Sequence, residues 1–396
     1  METIFDTALP EDFDETMDFG NYVFSHSSGG IDFPSTLPKL YKRNYFMEGI
    51  HYTAREGGRI KAAVGAYPLE LDFSGPGMES TSLGGRGIGM VSVHPYSRSR
   101  GYMKELMNRA LEDMRRDNIV FSCLGGLRQR YEYFGFSPAG SVYNFTCTET
   151  NIRHTMGTEW RTGLSFKDVE AGDESFLDSI HALHETKIAR YRRQRDRLYD
   201  ILTSWKARVL AITEGDSFQG YLVYKAHGTD HEISEIMLHD LSRLPEVLAL
   251  FLRNGKAVGM QGKVNISAGP HEREKITVLS RFTERYTLHP VYNFAVFDYQ
   301  RFVAPFLKLV EREKALPEGK VILEIEGGSR YCLTVEAGKA SIAGTTASGE
   351  LVLTRGEALQ FFFSPLGEHI FPVIREKPFL QSLLPLPLFY ENPDGI

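Results

Sequence analysis

Cysteine is scarce: the chain of 396 residues holds three, Cys123, Cys147 and Cys332. Odd in number and far apart, they form neither a disulfide framework nor a metal-binding spacing. They are read as reduced, half-buried hydrophobes, and no metal is expected. No stretch approaches 18 consecutive apolar residues, so no segment is expected to span a membrane as a helix. Basic residues are missing from the opening METIFDTALPEDFDETMD, which carries seven acids. Secretory and import leaders need positive charge there, so a cytoplasmic location is expected. The net charge of −6 argues against nucleic acid as the main partner and favours a cationic substrate. What remains is ordinary globular material. Apolar residues make up 42%, and the length implies two or three domains.

The most informative stretch is Val91-Ser-Val-His-Pro-Tyr-Ser-Arg-Ser-Arg-Gly-Tyr-Met103. A β-branched, alternating run meets a proline turn, then Arg98-x-x-Gly101, then a helix. Met103, Leu106, Met107, Ala110, Leu111 and Met114 form its apolar stripe, with Ser97 or Ser99 available as cap. A strand followed by a helix start gathers free backbone N–H groups at the positive end of a helix dipole, which is an anion cradle. Gly101 allows close backbone approach, and Arg98 and Arg100 add charged donors. A further strand, residues 119–124, ends at Gly125-Gly126. The expected guest is a pyrophosphate.

An internal echo follows. The hairpin around residues 53–67 is answered at 210–224, and Ile88–His94 at Ile233–His239. Each copy continues into a helix (103–114; about 245–253) and a strand (119–124; 264–267). After His239 the second copy reads Asp-Leu-Ser-Arg-Leu-Pro and lacks the cradle. From Val291 the pattern changes: a strand at 293–297, a helix over 300–312, four short strands separated by Gly-rich turns, and an apolar helix over 356–363.

Arg98-Ser-Arg-Gly-Tyr-Met103 resembles the acetyl-CoA loop of the GNAT acetyltransferase superfamily. Met103, in place of a small residue, is similar to the Eis-like (enhanced intracellular survival) branch. Tyr131-Glu-Tyr-Phe-Gly-Phe136 with Pro138-Ala139 looks like that branch's second motif. The resemblance covers the whole chain. It implies an α/β (α+β) protein with a catalytic GNAT domain (1–150), a degenerate GNAT-like domain (151–288) and a sterol-carrier-protein-like domain (289–396). It also implies acetyl-CoA as co-substrate, an aminoglycoside or a lysine side chain as acceptor, and a homo-oligomer.

Coenzyme contacts are expected from the strand edge Val91, Ser92 and Val93, where a backbone N–H polarises the thioester carbonyl. They are expected too from the loop Arg98, Ser99, Arg100 and Gly101, the helix start Tyr102, Met103 and Lys104, and the turn Gly126 and Leu127. Tyr131 matches the general acid of the branch; Tyr133 is its competitor, and both are alternatively an aromatic cluster with Phe134 and Phe136. The resemblance makes the base the C-terminal carboxylate, here on Ile396, with His94 as a second candidate. The run Lys187–Arg197 is read as a solvated helix face partnered by Asp196 and Asp200, in preference to a nucleic-acid patch. The acidic N-terminus with Glu391 and Asp394 is a candidate lining for a polycation pocket. The competing functional class is an apolar-ligand carrier with a vestigial first domain.

Overall fold

The computed structural model describes residues 2–227, 230–255 and 262–396. The first strands are β1 (Thr3–Thr7), β2 (His51–Glu56), β3 (Arg59–Gly75), β4 (Met78–Val93), β5 (Phe121–Leu124) and β6 (Ser137–Ala139). The middle of the chain adds β7 (Val142–Thr148), β8 (Leu164–Asp168), β9 (Ala189–Tyr191), β10 (Arg208–Glu214), β11 (Ser217–His227), β12 (Asp230–Leu238), β13 (Lys263–Ala268) and β14 (Arg285–His289). The last strands are β15 (Tyr292–Val296), β16 (Gly319–Ile325), β17 (Ser329–Glu336), β18 (Lys339–Gly344) and β19 (Leu351–Leu353). Among the helices are α1 (Phe13–Ser28), α2 (Tyr102–Arg116), α3 (Leu244–Gly255), α4 (Tyr299–Glu313) and α5 (Arg355–Phe363).

Three sheets result, in a mixed α/β fold. The first runs β1-β2-β3-β4-β5-β15-β6, with β9 beside β3; the second runs β14-β7-β13-β12-β11-β10-β8; the third runs β18-β17-β16-β19. Local chemistry explains the start. Gly57 and Gly58 both take positive φ (56° and 75°), the backbone a two-residue hairpin between β2 and β3 needs. α2 then returns the chain so that β5 lies parallel to β4. Its stripe Leu106, Met107, Ala110, Leu111 and Met114 is buried against Ala54, Ala62, Val64 and Ile88 of β2, β3 and β4. The echo reappears in three dimensions: β10 and β11 pair antiparallel, β12 pairs β11, and β13 runs parallel to β12 after α3.

The sheets cross the boundaries expected near residues 150 and 288. β7 lies in the second sheet between β14 and β13, while β15 lies in the first between β5 and β6. Apolar packing crosses as well. Phe73 and Phe121 of the first sheet share one cluster with Phe302 and Phe306 of α4, Val321 and Leu333 of the third sheet, and Phe361 of α5.

Two sequence expectations fail here. The helix cap is neither Ser97 nor Ser99: Gly101 occupies the N-cap and no side chain caps α2. The run Lys187–Arg197 is no solvated helix face. It contains β9, paired with β3 at Leu71–Phe73, and Arg193 is completely buried. The reason is charge compensation. Arg193 makes forked bonds to Glu235 (2.8 and 2.7 Å) and to Asp394 (3.1 and 2.8 Å). Lys187 binds Glu391, which also lies 3.4 Å from His184 Nε2. Glu391 and Asp394 therefore belong to an interior ion network rather than an acidic pocket.

That network predicts a stability profile. Burial alone would raise the Glu235 carboxyl, but Arg193 and Lys187 outweigh it and hold the group below its ordinary range. A depressed carboxylate stabilises fully above its unfolded pKa of about 4.3, and loses that contribution as pH falls through the folded value. Melting temperature should accordingly drop steeply below about pH 4. Arg193→Ala should cost about 3–5 kcal/mol in denaturant titrations, because two carboxylates stay buried without their partner.

Candidate active site

β4 pairs with β5 from Gly85–Phe121 to Ile88–Leu124, and there the pairing ends. Two residues beyond, Met90 takes φ +50° and the β3–β4 register slips between Ala63 and Gly65. This is a β-bulge, which bends a strand and re-aims it. Among the described residues no strand pairs the β5-side edge of residues 89–93. β5 stops at Leu124, followed by Gly125 and by Gly126 at φ 132°. The sheet is thus split, and the split offers unpaired backbone groups to a ligand lying in it.

The loop at the end of β4 has the geometry of an anion cradle. Arg98 is extended, Ser99 takes φ 64° and Gly101 φ 81°. Nothing lies within 4 Å of where a Gly101 Cβ would stand, so the uncapped N–H groups of Tyr102, Met103 and Lys104 open outward. Arg98 is exposed. Arg100 is not a free donor: it is held by Glu56 at 2.8 Å, and the Tyr102 hydroxyl donates to the same carboxylate. Tyr102 and then Arg100 draw the Glu56 carboxyl down to about 2. These two side chains clamp the loop to β2, while Arg98 and the backbone of the turn stay open. Val91 and Val93 pack against the α2 cluster, Ser92 Oγ donates to the Ala63 carbonyl at 3.4 Å, and Lys104 lies 4.8 Å over the Tyr133 ring. Leu127 is exposed.

Tyr131 ends a short helical turn, Arg128–Tyr131. Its ring lies against Gly126, where a Cβ would stand 3.0 Å from Cε2, and edge-on to Phe136. Burial raises its pKa, which keeps the hydroxyl protonated as a donor. Tyr133 is 68% exposed, outside this cluster. His94 accepts the Tyr96 N–H through Nδ1 at 3.3 Å and stacks on Tyr22, so one ring nitrogen is spent on the turn.

Ile396 reaches the other wall of the split. A Cβ on Gly87 would lie 1.7 Å from Ile396 Cδ1, and one on Gly89 2.6 Å from Cγ2; the side chain sits in space that only glycines leave. Four donors hold four successive residues of the tail: Lys39 Nζ to the Pro393 carbonyl (2.5 Å), Tyr390 to Asp394 (3.1 Å), Trp205 Nε1 to Gly395 (3.2 Å) and Tyr292 to Ile396 (3.3 Å). The cluster His184, Glu235 and Glu391 has metal-ligand spacing, but its carboxylates are bonded to Lys187 and Arg193.

With this geometry established, the relatives are informative. Residues 5–139 match the sequence family described as the acetyltransferase (GNAT) domain. The first unit is thus similar to GNAT acyltransferase domains. Domains of that family use an acyl-CoA as donor. No curated protein matches the chain. Solved structures match over nearly its whole length: a probable N-acyltransferase from Enterococcus faecalis V583 (TM-score 0.68, 15% identity, 98% of each chain), a GCN5-related N-acetyltransferase from Anabaena variabilis (0.65, 15%, 100% of this chain and 99% of that), and Eis1 from Mycobacterium abscessus (0.63, 13%, 99% and 100%). At these identities the likeness is one of fold.

No motif in the sequence points to Lys39, Tyr292 or the seat Gly87–Gly89. For the seat a signal was present in β4, whose residues 84–89 include Gly84, Gly85, Gly87 and Gly89; glycines inside a strand mark a close approach of other atoms. For the GNAT loop, Gly101→Val should be strained by about 1–2 kcal/mol at its left-handed φ. CoA affinity in calorimetric titration should fall about tenfold.

Proposed function

We propose that the protein is an acetyl-CoA-dependent N-acetyltransferase that acetylates primary amines, aminoglycoside-like or lysine side chains, by direct attack in a ternary complex. The observation that carries this reading is the convergence on one sheet split of a protonated phenol, Tyr131 beside Gly126, and the tail residue Ile396 over Gly87 and Gly89. The pantetheine arm pairs with the edge at Val91–Val93, and the pyrophosphate rests on Arg98, Ser99, Gly101 and the first turn of α2. The amine nitrogen, once its ammonium form has released a proton to solvent, attacks the thioester carbon with the freed lone pair. As the C–N bond forms, that nitrogen becomes acidic and gives its proton to the Ile396 carboxylate. As the C–S bond breaks, Tyr131 supplies the proton taken up by sulfur. Because Arg193 and Lys187 neutralise Glu391 and Asp394, attraction of a cationic acceptor falls to the terminal carboxylate rather than to an acidic pocket.

In this reading the chain divides into a catalytic unit, a second unit of the same pattern without the cradle, and a third, sterol-carrier-like unit built on β16–β19, α4 and α5. The units exchange strands β7 and β15. The protein works in the cytoplasm as a homo-oligomer.

Thiol release from acetyl-CoA, measured with an aminoglycoside, a lysine peptide and an amine-free blank, tests the activity. Acceptor-dependent release is expected. Absence of release together with absence of a CoA-induced thermal shift would overturn it in favour of an apolar-ligand carrier. Tyr131→Phe should keep CoA binding and lose about 10²–10⁴ in turnover. One glycine added after Ile396 moves the carboxylate and should cost a similar factor; an unchanged rate would remove Ile396 from the mechanism.

A further inference from the structure

The tail needs more than a seat. A carboxylate beside apolar walls tends to take up a proton unless a donor favours its charged form. Gly87 and Gly89 of β4 contact the Ile396 side chain, and Gly125, just beyond β5, lies beside Tyr292. The polar groups around it are nearly all committed. Lys39 is bonded to the Pro393 carbonyl and Trp205 to Gly395. The Asp394 carboxylate is held by Arg193, and the Tyr390 hydroxyl donates to the Asp394 carbonyl. Tyr67 bonds His51 Nε2 at 3.0 Å, and the Tyr41 ring packs edge-on against the Tyr67 ring. Among the described residues, no lysine or arginine forms an ion pair with Ile396.

Tyr292 is the exception. Its hydroxyl donates to the Ile396 terminal oxygen at 3.3 Å. The Tyr292 hydroxyl oxygen itself stands 3.5 Å from where a Gly125 Cβ would be and 3.2 Å from that of Gly395, so the phenol bridges the turn after β5 and the tail. The ring is fixed. It stacks on Tyr390 with centroids 4.4 Å apart, and β15 locks its backbone opposite Ala139. The next residue, Asn293, donates to the Gly126 carbonyl at 3.0 Å. One strand thus ties the tail and the glycine turn to the same sheet.

We propose that Tyr292 is a positioning residue, whose hydroxyl orients the Ile396 carboxylate at the mouth of the split and keeps it ionised. This rests on the reading of Ile396 as the base. The hydroxyl acts through the carboxylate and transfers no proton itself.

The test is a carbon-13 NMR titration of the full-length protein labelled at the isoleucine carbonyl carbon. Only Ile396 presents that carbon as a carboxylate; every other isoleucine carbonyl is an amide and does not titrate. In the unmodified protein the midpoint should lie within or below the ordinary α-carboxyl range of about 3.3–3.7. A midpoint well above it overturns the proposal without any variant. Tyr292→Phe, which keeps the ring stack, should raise the midpoint by about one unit, equivalent to a tenfold loss of ionised base on the acid side. The acid limb of kcat/KM with acetyl-CoA and the best amine of the panel should move up with it, while the CoA-induced thermal shift stays unchanged. Tyr41→Phe, which keeps the ring contact with Tyr67, should leave the midpoint in place. An unmoved midpoint in Tyr292→Phe, or an equal shift in Tyr41→Phe, overturns the proposal. A midpoint that moves while the rate limb stays still upholds the Tyr292 contact and removes Ile396 as base.

Discussion

The structure turns on one buried guanidinium. Arg193 leaves β9 fully enclosed, meets Glu235 of β12 with one fork and Asp394 of the tail with the other. Removing a charge from water costs several kcal/mol, and only close, well-directed partners return it. Here the partners come from the second sheet and from the last residues of the chain, and β9 itself is hydrogen-bonded into the first sheet through β3. Three distant segments must assemble together for any one of these charges to be tolerated. Lys187, Glu391 and His184 extend the same logic toward the tail.

From that anchor the geometry of the candidate site follows by short steps. Asp394 fixed by Arg193 leaves only Gly395 and Ile396 to place, and Trp205 and Tyr292 take one oxygen each. Trp205 reaches its bond from a left-handed backbone at φ 60°, a conformation that costs energy for any residue with a Cβ. On the facing wall, β4 has given up side chains at Gly87 and Gly89 and accepted a bulge at Met90. Both features weaken a strand considered alone. They make sense together with the tail, which fills the space the glycines leave.

Much of this was legible beforehand. The Arg98-x-x-Gly101 turn, the apolar stripe of α2, the hairpins at 53–67 and 210–224 and the strands of the last hundred residues are local patterns, set by turn chemistry and by periods of two and 3.6 residues. The cradle, too, is a local object, because one turn and one helix start build it. The run Lys187–Arg197 misled for the same reason: five arginines and a lysine describe a solvated surface unless carboxylates from elsewhere enclose them, and Glu235 and Asp394 lie far along the chain.

By itself, the sequence determined the elements, the Arg98–Gly101 turn and the repeated α/β pattern, since each depends on contacts within a few residues. Tertiary structure alone decided that β7 and β15 trade sheets, that Arg193 is interior, and that Ile396 meets Gly87, Gly89 and Tyr292 beside the split. Those arrangements join residues as far as some three hundred positions apart. Their energies lie in desolvated charge pairs and in space left by missing side chains, quantities that no local pattern encodes.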